Sequence, residues 1–195
     1  MVRIFLAGAS GVLGVRLVPL LVADGHVVAG MTRSPGKVEM LRGLGAEPVV
    51  CDVYDEATLR DAVVAFRPEL VMHQLTDLPD DEASLANAID ADARMRREGT
   101  RNLLAAAEGA GASRFIAQSV AWELAGSGGA AKQELERAVL AFGGVVLRYG
   151  RFYGPGTYHA EPPEQPCVQI DDAARQTVAL LDARSGTVEV VDALR

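Results

Sequence analysis

The chain has 195 residues, 49% of them hydrophobic and 23% charged, with a net charge of −7 and a pI near 5.0: enough for one domain with a proper core, and too acidic for nucleic acid to be a main partner. No stretch approaches the ~18 to 20 uninterrupted apolar residues of a membrane span, and Met1 leads straight into an apolar run without a basic leader, so a soluble, cytoplasmic protein is expected. Two cysteines (Cys51, Cys167) and three histidines (His26, His73, His159) are too scattered for a metal site.

Val2 to Ala7 reads as a strand, Gly8–Ala9–Ser10–Gly11 as a turn and Val12 onward as a helix. Glycine supplies backbone conformations that other residues adopt only at a cost, and its missing Cβ lets the chain approach a ligand closely. A helix N-terminus behind such a turn offers free N–H groups and the positive end of its dipole. Glycines at 8, 11 and 14 between strand and helix therefore point to a nicotinamide dinucleotide, its pyrophosphate held by Gly8, Ser10, Gly11, Val12, Leu13 and Gly14. The other reading is a tight turn with no ligand.

The first helix is expected over Val12–Ala23, carrying Pro19, with a second strand over His26–Thr32. An acidic residue after that strand would hold a ribose 2′-hydroxyl, whereas an arginine suits a 2′-phosphate. Met31–Thr32–Arg33–Ser34 has no carboxylate, which favours NADP over NAD; alternatively Arg33 is a solvated loop charge. A short helix over Lys37–Leu44 and a third strand over Glu47–Cys51 follow, and then Asp52. Asp52 either accepts a hydrogen bond from the adenine, beside Val53, or caps the helix beginning near Asp55. Cys51 is expected to be buried. A fourth strand, Glu69–His73, gives way to Gln74 and Leu75, whose backbone should pass the nicotinamide-side ribose.

Leu78–Glu82 reads as an exposed loop, Ser84–Gly109 as one long helix, and Arg114–Gln118 as a fifth strand with Ser119 at its end. Gly126–Ser127–Gly128–Gly129 reads as a flexible patch before a helix over Lys132–Phe142. A sixth strand over Val145–Arg148, an irregular proline-rich segment, a helix over Asp171–Asp182 and a strand over Thr187–Val191 complete the chain. Alternating strands and helices mean an α/β, Rossmann-type doubly wound parallel sheet with helices on both faces.

In order along the chain, Gly8-x-x-Gly11-x-x-Gly14, Cys51–Asp52–Val53, His73–Gln74–Leu75, Gly99–Thr100–Arg101–Asn102–Leu103–Leu104, Phe115–Ser119, Lys132-x-x-x-Glu136–Arg137, Leu147–Gly156 and Ile170–Ala174 resemble the extended short-chain dehydrogenase/reductase superfamily, the epimerase/dehydratase-like group. The resemblance implies one NAD(P)-binding domain over residues 1–195, with 150–195 as a reduced substrate-side lobe. It places Ser119 as the serine that orients a substrate oxygen and Lys132 as the lysine whose charge favours an ionised tyrosine. The tyrosine position is then Gly128, so the usual catalytic set is incomplete. Tyr149, Tyr153 and Tyr158 lie on later segments; only Tyr153 stays in view as a substitute. The segments between Ser119 and Lys132 and after Gly156 are short for the family. Two readings remain: an NAD(P)-dependent oxidoreductase or epimerase-like enzyme acting on a small polar molecule, and a dinucleotide-binding sensor without turnover. The family also pairs subunits through its long central helices, which allows a homodimer.

Overall fold

Strand β1 (Arg3–Ala7) is buried along almost its whole length, and side chains alternate across it. Ile4 and Leu6 enter one core and Phe5 and Ala7 the other. A strand apolar on both faces belongs inside a parallel sheet. In the computed structural model, which describes residues 1–79 and 81–193, β1 pairs in parallel with β2 (Val27–Thr32) on one side and β4 (Leu70–His73) on the other. β3 (Glu47–Val50), β5 (Arg114–Val120), β6 (Val145–Tyr149) and β9 (Gly186–Val190) extend this to seven strands in the order β3-β2-β1-β4-β5-β6-β9, parallel throughout.

On one face, Leu17 and Leu21 of α1 (Gly14–Ala23) and Ala173 of α7 (Ile170–Ala179) pack over Ile4, Leu6 and Met72. On the other, Leu59 and Val63 of α3 (Glu56–Phe66), Leu103 of α5 (Thr100–Gly109) and Val139 of α6 (Gly126–Ala141) cover Phe5, Val71 and Phe115. This is the Rossmann-type architecture expected. Among the described residues no helix is long and apolar enough to cross a membrane.

Several boundaries differ from the sequence expectations. The helix expected over Ser84–Gly109 is a 3-10 segment (Glu82–Ala88), α4 (Ile89–Arg94), a π-helical turn (Met95–Gly99) and then α5. Gly99 permits that wide turn, since a Cβ there would lie 2.8 Å from Met95 Sδ. The expected loop Leu78–Glu82 loses Glu82 to the 3-10 segment, and Asp80 lies outside the described residues. Gly126–Gly129 is no flexible patch but the opening turn of α6, which begins six residues before Lys132. Gly129 fits there only without a side chain, since a Cβ would sit 2.1 Å from the Leu124 carbonyl oxygen: the glycine answers close local packing rather than a need for flexibility. The helix after Asp52 is capped by Asp55, whose carboxylate accepts from Thr58 N, so Asp52 is not its cap. A short helix, α2 (Val38–Gly43), follows a 3-10 turn over Pro35–Lys37. Sequence reading also missed a small parallel sheet of β7 (Arg151–Tyr153) and β8 (Cys167–Gln169).

The glycine turn is a tight junction of the fold. A Cβ on Gly14 would lie 2.2 Å from Gly8 O, whereas one on Gly109, at the end of α5, would meet nothing within 4 Å. Gly14→Ala is expected to destabilise the protein by about 2 kcal/mol or more through overpacking, and Gly109→Ala to stabilise it by roughly 0.5 kcal/mol through its helix preference. Urea denaturation of the two variants checks both signs.

Candidate functional site: a cofactor groove at the strand ends

The C-terminal ends of β1, β2, β3 and β4 carry the residues expected to hold a dinucleotide. Gly8 has φ +93°, and a Cβ there would fall 2.5 Å from Gln74 O, so the turn fits against the exit of β4 only because the side chain is missing. Gly11 is exposed. Its amide donates to Gly8 O at 3.1 Å, and its own carbonyl accepts from Val15 N at 3.0 Å. The N-cap of α1, Leu13, makes no side-chain capping bond. Helix starts leave their first amides without intrahelical partners, so this one presents donors to an anion. Arg16, one turn on, fixes the floor: it donates to Val12 O, to Pro155 O and to Asp171 Oδ1 at 2.7, 2.6 and 2.6 Å. The guanidinium beside Asp171 holds that carboxyl below its ordinary value.

The exit of β2 lies against this turn. Thr32 is buried, its hydroxyl 2.9 Å from Ser10 Oγ and accepting from Ser34 N at 3.2 Å. Arg33 is exposed and ion-paired with Asp77 at 3.0 Å. Asp52 is exposed, accepting from Tyr54 N at 3.0 Å, while Val53 is buried and its carbonyl accepts from Asn102 Nδ2. Cys51 is buried, and burial foremost, with Asp55 and Asp52 adding, pushes its thiol up to about 11. Gln74 is buried with its Oε1 unpartnered among the described residues, and Leu75 O accepts from Gln118 Nε2 at 3.1 Å.

Strand alternation sends His73, Ser119 and Arg148 toward the α5/α6 face. Ser119 is buried and donates to Glu136 Oε1 at 2.6 Å. Arg148 grips the same carboxylate with two bonds, 2.9 and 2.6 Å. Burial alone would raise the Glu136 carboxyl; hydrogen bonds from Arg148 and Ser119 outweigh it and hold the group below its ordinary value. Lys132, one helical turn before Glu136, is buried and donates to Trp122 O at 3.0 Å, with Glu123 3.7 Å away. Ser119 and Lys132 thus do not bond to each other: Ser119 is tied to Glu136, and Lys132 to the Trp122 carbonyl and Glu123. Gly128 is buried, yet a Cβ there would meet Leu124 only at ordinary contact, 3.8 Å. Packing does not demand the glycine, and no phenol stands at this position. Tyr153 donates to Asp192 at 2.8 Å.

Sequence reading missed Glu136 as the partner of Ser119, and Arg148 as the partner of Glu136. A signal existed: Lys132, Leu135, Glu136 and Val139 fall at i, i+3, i+4 and i+7, and all four are buried. It also missed Arg96, which the π-helical turn sends inward to pair with Asp92 at 2.8 Å.

Residues 8–141 match the model of the family described as NAD(P)H-binding. The chain belongs to that family. It is 38% identical over 182 residues to a 3-diazoavenalumate denitrifying reductase of a Streptomyces species, the match covering 81% of this chain and 59% of that protein. The chain therefore spans less than two thirds of that reductase's length. A UDP-glucose 4-epimerase from Thermotoga maritima, solved with UDP-glucose, superposes with a TM-score of 0.78 at 21% identity, covering 97% of this chain and 76% of the other. The Thermus thermophilus UDP-glucose 4-epimerase, solved with NAD, gives 0.78 at 20% identity, with 97% and 77% covered. At such identities the likeness is one of fold: the parallel-sheet architecture of these epimerases, in a shorter chain. The glycine turn of this NAD(P)-binding protein lies inside the matched span.

His73 adds a measurable property. It is buried, its Nε2 lies 3.0 Å from Thr100 Oγ1, and its Nδ1 accepts from Leu75 N. Burial first, and the Arg96 charge second, depress it from 6.5 to about 3. Between those values the unfolded chain binds a proton that the native state does not, so stability falls as pH falls from 6.5. This residue's share of the slope is at most about 1.4 kcal/mol per pH unit. Urea unfolding across pH 6.5 to 4.5 is expected to be less steep in pH for His73→Gln; an unchanged slope would show that the imidazole is not held neutral.

Proposed function

We propose that the chain is an NADP-preferring oxidoreductase of the extended short-chain dehydrogenase/reductase type, acting on a small polar molecule by hydride transfer. The observation that carries the reading is the uncapped start of α1 behind a turn in which Gly8 and Gly14 admit no side chain. The 38% identity to a denitrifying reductase supports a reductase over an epimerase. In this reading the amides of Ser10, Val12, Leu13 and Gly14 hold the pyrophosphate, with Gly8 and Gly11 shaping the turn. Asp52 and Val53 sit beside the adenine, Gln74 and Leu75 pass the nicotinamide-side ribose, and Arg33 takes the 2′-phosphate. When bound, the cofactor supplies the hydride. Lys132 exchanges the Trp122 carbonyl for ribose hydroxyls. Ser119, whose proton is committed to Glu136, offers a lone pair to a substrate donor.

Gly128 favours a second reading, a dinucleotide-binding sensor without turnover, because no phenol stands four residues before Lys132 to move a proton. Fluorescence titration with NADPH and NADH tests the common part. Micromolar NADPH binding that Arg33→Ala weakens about tenfold, with NADH little changed, is the expected result; a single contact of this kind is worth on the order of 1.4 kcal/mol. Binding of neither nucleotide would sink both readings. Nicotinamide oxidation with an added carbonyl or other hydride acceptor, reduced in Ser119→Ala, supports the enzyme. Tight binding with no turnover across such acceptors, and affinity differing between the redox forms, supports the sensor.

A further inference from the structure

The Arg33–Asp77 pair lies in an unusual place for a surface ion pair. β2 and β4 flank β1 on its two sides. Arg33 directly follows β2, and Asp77 is the fourth residue past the end of β4. Their 3.0 Å bond therefore spans the end of β1, over the glycine turn. The partners are unequal: the Arg33 side chain is 63% exposed and that of Asp77 only 23%. The carboxylate is the seated member and the guanidinium the one that reaches over. Tyr54, next after Asp52 and Val53, shares the neighbourhood. Its hydroxyl is buried without a hydrogen-bond partner among the described residues, and Arg94 stacks over its ring at 3.9 Å. Asp77 is thus a fixed negative charge at the adenosine end of the groove, supplied by a different strand from the one that ordinarily reads the 2′ position.

We propose that Asp77 is a specificity-determining residue for the cofactor, setting the balance between 2′-hydroxyl and 2′-phosphate by competing for Arg33. This rests on the cofactor reading given above. A 2′-phosphate needs the N–H fork of Arg33 and brings about two negative charges toward the Asp77 carboxylate. It must break or share the existing pair and bear the repulsion of the seated charge. A bare ribose leaves the pair closed, with Asp77 as an acceptor for its hydroxyl. Arg33 alone favours the phosphate; Asp77 returns part of that preference to the unphosphorylated cofactor.

The experiment is a double-mutant cycle on the full chain, reading dissociation constants for NADPH and NADH in the wild type, Asp77→Asn, Arg33→Ala and the double variant. Asp77→Asn keeps the shape and removes the charge; Asp77→Ser serves if that variant does not fold. The expected result is NADPH binding tightened on the order of tenfold in Asp77→Asn, with NADH changed by less than about twofold, as for unit charges near a surface. In the Arg33→Ala background the same substitution should shift the ratio by much less. An unchanged NADPH-to-NADH ratio in Asp77→Asn, with both nucleotides bound, overturns the competition and leaves the cofactor reading standing. A shift of equal size without Arg33 also overturns it, because the carboxylate would then act on the phosphate alone. Failure of the wild type to bind either nucleotide removes the cofactor reading and this inference with it.

Discussion

The structure depends on how closely backbone meets backbone at the first turn. The positions where Gly8 and Gly14 would carry Cβ atoms lie within 2.5 Å of carbonyl oxygens, one on the exit of β4 and one within the turn itself. That closeness lets α1 start directly over the sheet edge and brings the exits of β2 and β4 to either side of its N-terminus. No polar contact in the groove substitutes for it. Ser10, Thr32 and Gln74 occupy their places because the turn leaves no other path for the chain. The backbone amides of the turn are therefore placed by packing, which is rigid, rather than by side-chain rotamers, which are not.

The opposite half of the site is organised by charge. Glu136 is buried yet ionised, because Arg148 supplies two bonds and Ser119 a third. Such a carboxylate is stable only while its partners stay, since removing one leaves a desolvated charge uncompensated. The pair at Arg96 and Asp92 is of the same kind but less complete, with one Asp92 oxygen lacking a partner among the described residues. The α5/α6 face thus holds several ionisable groups under a parallel sheet, where apolar packing would be the cheaper solution.

Much of the fold was legible because its signals are local. Ile4 to Ala7 is apolar without interruption, the glycines follow at once, and Leu17 and Leu21 share a helical stripe. What stayed hidden depends on close local packing and on contacts distant in sequence. Gly126 to Gly129 carries the composition of a loop yet opens α6, packed so closely that a Cβ on Gly129 would collide with the Leu124 carbonyl. The π-helical turn over Met95–Gly99 is a break that periodicity does not register. β7 and β8 are three residues each, too short for alternation to show. In the site, the glycine turn and the identity of Arg33 could be read off directly. The carboxylate facing Arg33 is 44 positions away, and that facing Ser119 is 17 positions away on another element. Residue types were visible, but which charges cancel was not.

Arg16 gives the architecture a property that neither half has alone. One guanidinium is bonded to the turn through Val12, to the loop after β7 through Pro155, and to the start of α7 through Asp171. Both outer attachments lie in the last quarter of the chain. A rearrangement of the segment after Gly154 would be transmitted to the first turn of α1 through one side chain only four residues past Val12. The glycine turn and the C-terminal segment behave in this respect as a single lever with Arg16 as its pin.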